Sequence, residues 1–231
     1  SNLSLQLYSW YIQHGLVRNE KDKKNLRAFL EKNLPANARV ATGFYERLYY
    51  YQCQFWYAFI QQDFLQYYRY SYKWVNLFEE YPDLLKVETA SYIKGMHNLM
   101  GAHFNLMNHQ KLAEGLLLVP FLEAMLKEYQ LYLDTHRVLV FYYKIACLYF
   151  GSGDNEKAID YLNKIINRKM YLRTDLQCYA RLLNLIAHYE LGNFELLEYL
   201  IKSVYRFMAK MENLSKMEEE IFTFLRCSFK V

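Results

Sequence analysis

Histidines and methionines alternate along one short stretch of the sequence, and these side chains are ligands that copper and haem iron accept. They are Met96, His97, Met100, His103, Met107 and His109. Successive histidines are six residues apart, which corresponds to about 600° of rotation along an α-helix, so their rings point to different faces. They cannot converge on one ion from a single helix. We therefore expect no metal site and no cofactor.

Arrangements that would indicate hydrolysis or phosphate binding are weak as well. The carboxylates of residues 218–220 form a run near the start of a predicted helix, where acidic side chains favour the helix dipole, and they do not suggest a catalytic pair. Residues 151–153, Gly-Ser-Gly, lack the lysine and the preceding strand of a phosphate-binding loop. The sequence has no G-x-S-x-G elbow. We predict that the protein has no catalytic residues and is not an enzyme; an enzyme assembled from distant residues is a minor alternative.

The elements that hold these side chains must be helices. The chain has 231 residues, of which 53% are hydrophobic, with only 3 Pro and 8 Gly. Average usage would be about 5% Pro and 7% Gly, and an all-β protein needs those residues for its frequent turns. Long helices joined by short connections remain, and the apolar share is large enough to bury a core.

The charge balance disfavours nucleic acid and membranes as partners. The net charge is +4, from 28 Lys+Arg against 24 Asp+Glu, with a local basic excess between Arg18 and Arg27. A nucleic-acid-binding domain carries a denser basic stripe than this. The sequence contains no uncharged apolar run of about 18 residues that could span a bilayer.

Cysteine usage indicates a reducing compartment. Cys53, Cys147, Cys178 and Cys227 lie far apart among apolar residues, without a C-x-x-C pair. We therefore expect a cytoplasmic protein. We expect a single domain over residues 1–231. Because the chain begins with Ser-Asn rather than methionine, this start is either an expression remnant or a domain boundary within a longer protein.

Helical periodicity runs through almost the whole chain. Within residues 154–167, apolar side chains recur at positions i, i+3, i+4, i+7 and i+8. The same pattern predicts eleven helices, at about 3–14, 20–33, 38–61, 64–80, 83–107, 109–128, 132–150, 155–168, 172–190, 194–211 and 215–229. Pro120 should kink or end the sixth helix, because proline cannot donate the backbone hydrogen bond.

A short pattern recurs where one predicted helix turns into the next. A small residue is followed three positions later by an aromatic one, then by a turn residue, and a small residue opens the next helix. The turn residues are Gln62, Asn108, Gly153 and Gly192, separated by 46, 45 and 39 positions, and Gly15 is a candidate fifth. Small residues let the two helices approach, and Gly or Asn accepts the left-handed conformation at a helix end.

This pattern resembles the tetratricopeptide repeat. Residues 139–172 match the packing positions of that family best, and residues 94–127 and 178–211 match in part, although the separations exceed the family's period of about 34 residues. The resemblance implies an all-α fold, a right-handed α-α superhelix of about five helical hairpins plus a terminal helix. It also implies a concave groove lined by the first helix of each pair. The groove positions carried over from the best-aligned turns are Gln52, Trp56, Asn98, Asn105, Tyr143, Cys147, Tyr179 and Tyr189.

Aromatic residues give the strongest compositional indication of function. The chain has 24 Tyr, 15 Phe and 3 Trp. Consecutive rings lie about 100° apart around a helix, so they cannot all face the core, and some of them line a surface. The alternative is that tyrosine simply fills the thick cores between helices. We predict a scaffold or adaptor that binds a protein or peptide segment in the groove. The alternative is a module that senses a ligand or peptide and controls an attached output domain. RNA binding is less favoured, because the turn spacing is irregular.

Overall fold

The protein is all-helical throughout the part of the chain that its structure, a computed structural model, describes. That part comprises residues 2–37, 40–106, 109–128, 133–168 and 174–210, together with residues 220, 223 and 227. It contains eleven α-helices and no strand. The chain divides into two compact units, Ser1–Leu106 and Met107–Val231. The expectation of one repeat domain over residues 1–231 stays a prediction.

Five helices and two 3₁₀ turns form unit 1. The α-helices are α1 (Asn2–Ile12), α2 (Glu20–Asn37), α3 (Phe44–Gln61), α4 (Phe64–Glu80) and α5 (Thr89–Asn105), and the 3₁₀ turns are Gln13–Leu16 and Pro82–Leu85. Helix α3 packs against α1, α2 and α4, and α4 packs against α5. Leu7, Leu30 and Leu34 are fully buried between the first three helices, so the core of unit 1 is apolar and closed at this end.

Six helices form the described part of unit 2. They are α6 (His109–Leu117), α7 (Val119–Glu128), α8 (Thr135–Gly151), α9 (Asn155–Ile166), α10 (Thr174–Glu190) and α11 (Phe194–Lys210). Each of α8 to α10 packs against the helix that follows it, and α8 also contacts α6 and α10. Leu197, Ile201, Val204 and Met208 line the buried face of α11 at helical spacing and pack with Leu185 of α10.

The predicted turn residues hold the helix ends in the way the sequence pattern requires. Gln62, Gly153 and Gly192 adopt positive φ angles of 58°, 86° and 72°. In each case the following helix starts two residues later. The Asp63 and Asp154 carboxylates cap α4 and α9 by accepting from the backbone N–H groups of Gln66 and Lys157, at 3.0 and 3.1 Å. Asn108 lies outside the described residues.

Several predicted boundaries were wrong by a few residues. The third helix begins at Phe44 rather than 38, because the Glu46 carboxylate accepts from the backbone N–H groups of Thr42 and Gly43, both at 3.1 Å, and fixes the start there. Helix α2 extends to Asn37, past Pro35. The sixth helix is split between Leu117 and Val119, one residue before Pro120, as the proline predicted. The helix predicted at 215–229 lies largely outside the described residues.

Three of the four cysteines are buried and all four are free thiols. Cys53, Cys147 and Cys178 are buried, and Cys227 is exposed. The Cys53 thiol donates to the Leu7 carbonyl oxygen at 3.4 Å, and burial raises its pKa. These thiols behave as small core residues.

Candidate functional site

The eight predicted groove residues lie on four helices, two in each unit. In unit 1, Gln52 and Trp56 lie on α3 and Asn98 and Asn105 on α5. In unit 2, Tyr143 and Cys147 lie on α8, while Tyr179 and Tyr189 lie on α10. The two sets belong to separate compact units, so each set is described by itself.

Gln52 links α3 to α5 and keeps one polar atom without a partner. Its side chain is only 3% exposed, and its amide Nε2 donates to Ser91 Oγ at 3.1 Å. The amide oxygen Oε1 is buried and accepts no hydrogen bond. A buried unsatisfied oxygen costs about 1–3 kcal/mol, so this position favours a ligand or water that can donate to it.

Trp56 stacks on His14, which the 3₁₀ turn after α1 provides. The two rings are 4.1 Å apart and 15° from parallel. The His14 ring nitrogen Nδ1 also hydrogen-bonds to the Tyr11 carbonyl oxygen, and burial of the ring lowers the pKa of His14. The indole Nε1 of Trp56 is buried and has no hydrogen-bond acceptor. A neutral imidazole therefore covers an indole whose only donor is unused.

Asn98 is a second unpaired donor, on α5. The residue is 8% exposed and its amide Nδ2 finds no acceptor. Asn105, seven positions further along, is the last residue of α5 and is half-buried. Both lie on one face of the helix, since seven residues make about two turns.

Residues of α1, of the 3₁₀ turn after it and of α5 that the repeat pattern did not indicate lie next to these positions. Lys94 on α5 donates from Nζ to the Tyr11 hydroxyl and lies 5.0 Å from the centre of its ring. Burial, more than any neighbouring charge, raises the pKa of Tyr11, so its phenol stays protonated. Tyr8, Tyr11 and His14 recur every three residues, a spacing that could have indicated one helix face.

In unit 2, the structure brings together three of the four predicted residues. Tyr143 hydrogen-bonds to Cys147, and its phenol lies close enough to that of Tyr179 for the two to interact electrostatically. Burial raises the pKa of the Cys147 thiol to about 11 and lowers that of the neighbouring Lys144 to about 7. Tyr179 is 51% exposed, so this cluster is open to a partner. Tyr189 packs edge-on against Phe194 instead, at 6.0 Å.

A separate polar pocket of about 510 Å³ opens elsewhere in unit 2. It is lined by Glu123, Leu126, Lys127, Leu133, Thr135, Val138, Tyr142 and Arg168. Glu123 accepts a hydrogen bond from the Tyr161 hydroxyl at 2.6 Å and faces Lys164 Nζ at 3.8 Å. Lys164 lies 4.0 Å from the centre of the Tyr161 ring. The pocket therefore has both signs of charge and a hydrogen-bonded carboxylate on its wall.

The described residues offer little for metal chemistry or membrane insertion. Among them, no group of three or more His, Cys, Asp or Glu side chains is placed to hold a metal ion. Within the same part of the chain, every helix is too short or too polar to cross a bilayer. The site geometry is that of hydrogen-bonding and ring surfaces.

Comparison with solved structures gives the fold. The structure superposes on a crystal structure of a protein from Podosopora anserina that is assigned as a kinesin light chain with nearly identical TPR-like repeats. The TM-score is 0.66 and the sequence identity is 14%, and the match covers 91% of this chain and 99% of that one. A single-residue variant of the same protein gives a TM-score of 0.67 and 15% identity, covering 93% and 99%. This chain has a tetratricopeptide-like repeat fold. The predicted fold class, an all-α tetratricopeptide-like solenoid, is confirmed. No family model and no curated protein matches the sequence.

Proposed function

We propose that the protein is a non-catalytic interaction module that binds an extended protein segment along the first helices of its repeats. The fold supports this function, since stacked helical repeats expose long surfaces to partners. One observation carries it. Among the described residues, three of the six buried polar atoms without a hydrogen-bond partner belong to predicted groove residues of unit 1, Gln52, Trp56 and Asn98, and the other three belong to Trp74, Asn155 and Asn184. Buried polar groups are rarely left so in a finished site, and a peptide backbone supplies both donors and acceptors.

The cluster around Tyr179 offers unit 2 a contact of the same kind. Its exposed phenol ring lies beside Tyr143, and exposed tyrosines give large contact area at low entropic cost. Scaffold or adaptor function follows if both units bind segments of partners. A cytoplasmic location agrees with the four free thiols.

Selection of peptide ligands tests this proposal. Random dodecapeptides displayed on phage are selected on the immobilised full chain, and the selected peptides are measured by fluorescence anisotropy. Gln52→Ala, Asn98→Ala and Tyr179→Ala should each weaken binding of some selected peptides about tenfold, because one lost hydrogen bond or ring contact is worth about 1.4 kcal/mol. Tyr72→Ala is the matched control, since Tyr72 is an exposed ring on α4, outside the predicted groove.

Two results contradict the proposal. One is that no peptide is enriched over the empty support. The other is that enriched peptides bind all three variants as tightly as they bind Tyr72→Ala. Far-UV circular dichroism of every variant shows whether it is folded, and the exposed Tyr179 provides a variant that leaves the core intact.

The ligand-sensing alternative has one observation in its favour. The polar pocket of unit 2 falls within the roughly 300–1,000 Å³ of small-molecule sites. Its carboxylate and cations would suit a zwitterionic ligand. A thermal-shift screen of amino acids and dipeptides, repeated with Glu123→Gln, tests this function: a stabilising ligand whose effect Glu123→Gln removes would support it.

A further inference from the structure

Seven rings form an unbroken chain across α1, the 3₁₀ turn after it and α3, all within unit 1. In order they are Tyr45, Tyr49, Tyr8, Tyr11, His14, Trp56 and Phe59, with successive centres 6.0, 5.0, 6.5, 4.9, 4.1 and 5.5 Å apart. We call this set the aromatic strip. Tyr8, Tyr45 and Phe59 are 44%, 37% and 49% exposed, and the other four rings are partly exposed. A partner can therefore reach the strip most easily at Tyr8, Tyr45 and Phe59, and less easily at the four rings between them.

The four rings that α3 contributes to the strip lie on one face of that helix, the face that also carries Gln52. Tyr45, Tyr49, Gln52, Trp56 and Phe59 follow the spacing i, i+4, i+7, i+11 and i+14, which keeps them within about 80° of one another. The first and the last are separated by about 21 Å along the helix axis, at about 1.5 Å per residue. An extended segment is the shape of partner that such a surface fits.

Helix α5 turns its polar face to the same strip. Ser91 receives the hydrogen bond of Gln52 and Lys94 donates to Tyr11. Asn98 lies seven residues after Ser91 and four after Lys94, so all three share one side of α5. The partner would therefore lie on rings with amide and hydroxyl groups beside them.

Unused hydrogen-bonding groups near the strip are mostly donors. Trp56 Nε1 and Asn98 Nδ2 are buried donors without acceptors, against one buried acceptor, Gln52 Oε1. The Tyr11 hydroxyl accepts from Lys94 and keeps its own proton to donate. An ordinary peptide offers N–H and C=O groups in equal number. A proline-rich peptide offers mainly C=O groups, because proline has no N–H.

The charges at the strip are few and of opposite sign. The charged groups that the described residues place against its rings are Lys94, at Tyr11, and Glu88, at Tyr45 and Tyr49. Single-stranded nucleic acid stacks its bases on aromatic rings but needs a positive groove for its phosphates. The strip lacks that excess of positive charge.

We propose that the aromatic strip binds a proline-rich protein segment in the polyproline II conformation. Such a segment is already extended and loses little entropy on binding, and aromatic-lined grooves are a general way to recognise it. Its pyrrolidine rings pack on the flat rings of Tyr and Trp. Its free carbonyls accept from the Tyr11 hydroxyl and, once binding exposes them, from the buried Trp56 Nε1 and Asn98 Nδ2. At about 3.1 Å per residue, about seven residues span the strip. This inference rests on the proposed function and names the class of partner for unit 1.

Fluorescein-labelled decaproline is the probe, measured by anisotropy against the full chain, with a labelled (Gly-Ser)₅ peptide and labelled (dT)₁₀ as comparison ligands. Decaproline spans about 31 Å, longer than the strip. We expect it to bind at least tenfold more tightly than either comparison ligand. Tyr49→Ala and Trp56→Ala should each weaken it at least tenfold. Trp56→Phe, which keeps a ring and loses the Nε1 donor, should weaken it about three- to tenfold, and Tyr72→Ala should leave it unchanged.

The possible failures separate the inference from the proposed function. If decaproline binds no better than (Gly-Ser)₅ while phage-selected peptides without proline depend on Gln52 and Asn98, the inference is overturned and the proposed function stands. If neither decaproline nor any selected peptide binds, both fail. Tighter binding of (dT)₁₀ with a steep salt dependence overturns the inference in favour of nucleic acid. Equal affinity of Trp56→Ala and Tyr72→Ala for decaproline places the binding elsewhere and also overturns it.

Discussion

Gly95 allows α4 and α5 to pack closely in unit 1, and a single methyl group there should be felt. A Cβ at this position would lie 3.2 Å from Trp74 Cδ1, Trp74 Nε1 and Val75 Cγ2. The Trp74 side chain is fully buried and Val75 nearly so, so neither can move aside freely. Overpacking costs about 1–3 kcal/mol, and the higher helix propensity of alanine returns about 1 kcal/mol. We expect Gly95→Ala to lower the free energy of unfolding of unit 1 by about 1 kcal/mol.

A double-mutant cycle with Val75→Ala isolates the steric cause. Val75→Ala removes Cγ2, one of the three atoms in close contact, and should itself destabilise the fold by about 1–2 kcal/mol through the lost burial. In that background the cost of Gly95→Ala should fall by at least about 0.5 kcal/mol, because residues in contact are not additive.

Urea unfolding followed by circular dichroism and by tryptophan fluorescence measures all four proteins. Their m-values should agree, so that differences in midpoint reflect stability. Additive effects of the two substitutions, or a Gly95→Ala variant at least as stable as the wild type, would refute the argument from the 3.2 Å contacts.

Two further predictions concern a turn and a histidine. Gly153→Ala should lower the free energy of unfolding by about 1 kcal/mol, because Gly153 has φ +86° and the space around it is open, so the cost is conformational. Gly15→Ala is the control: the space there is also open but φ is not positive, so this change should raise the free energy of unfolding by about 0.4–1 kcal/mol. Equal effects of the two changes in denaturation curves would contradict this reasoning. Burial lowers the pKa of His14 in the folded state, so the unfolded chain binds more protons and stability should fall as the pH drops below about 6.5. When the pH is lowered from 8 to 5, the urea midpoint of His14→Gln should fall less steeply than that of the wild type. The lowered pKa of His188 leaves part of the pH dependence in both proteins. The same pH dependence in the variant and the wild type would count against a buried neutral His14.

The turns could be predicted from sequence because their chemistry is local. Gly153 and Gly192 follow a helix pattern and precede a new one, and the backbone takes the left-handed conformation at both. Gln62 was found by its place in the repeated pattern rather than by residue type, and it too has a positive φ. The start of α3 was missed although the sequence contains the evidence, since Glu46 stands three residues after Gly43, at the spacing of a capping box.

The candidate site could be predicted only in part, because its members come from distant parts of the chain. Gln52, Trp56 and Asn98 are predicted groove residues because the repeat pattern indicates which side of a helix faces inward. Neither the stacking of His14 on Trp56 nor the hydrogen bond between Lys94 and Tyr11 leaves a trace in local sequence, because each joins segments 42 or more residues apart. The first pairing depends on how the turn after α1 lies against α3 and the second on how α1 lies against α5, which the periodicity of single helices does not specify.

The distribution of thiols makes the protein selective toward cysteine reagents without any engineering. Thiolate is the reactive form, and with a pKa of about 11 only about one Cys147 side chain in ten thousand is ionised at pH 7. Burial suppresses ionisation of Cys53 in the same direction and keeps reagents away from Cys178 as well. Cys227 is exposed. A maleimide fluorophore added to the native protein would therefore attach first at Cys227, in unit 2, and leave the three buried thiols unmodified.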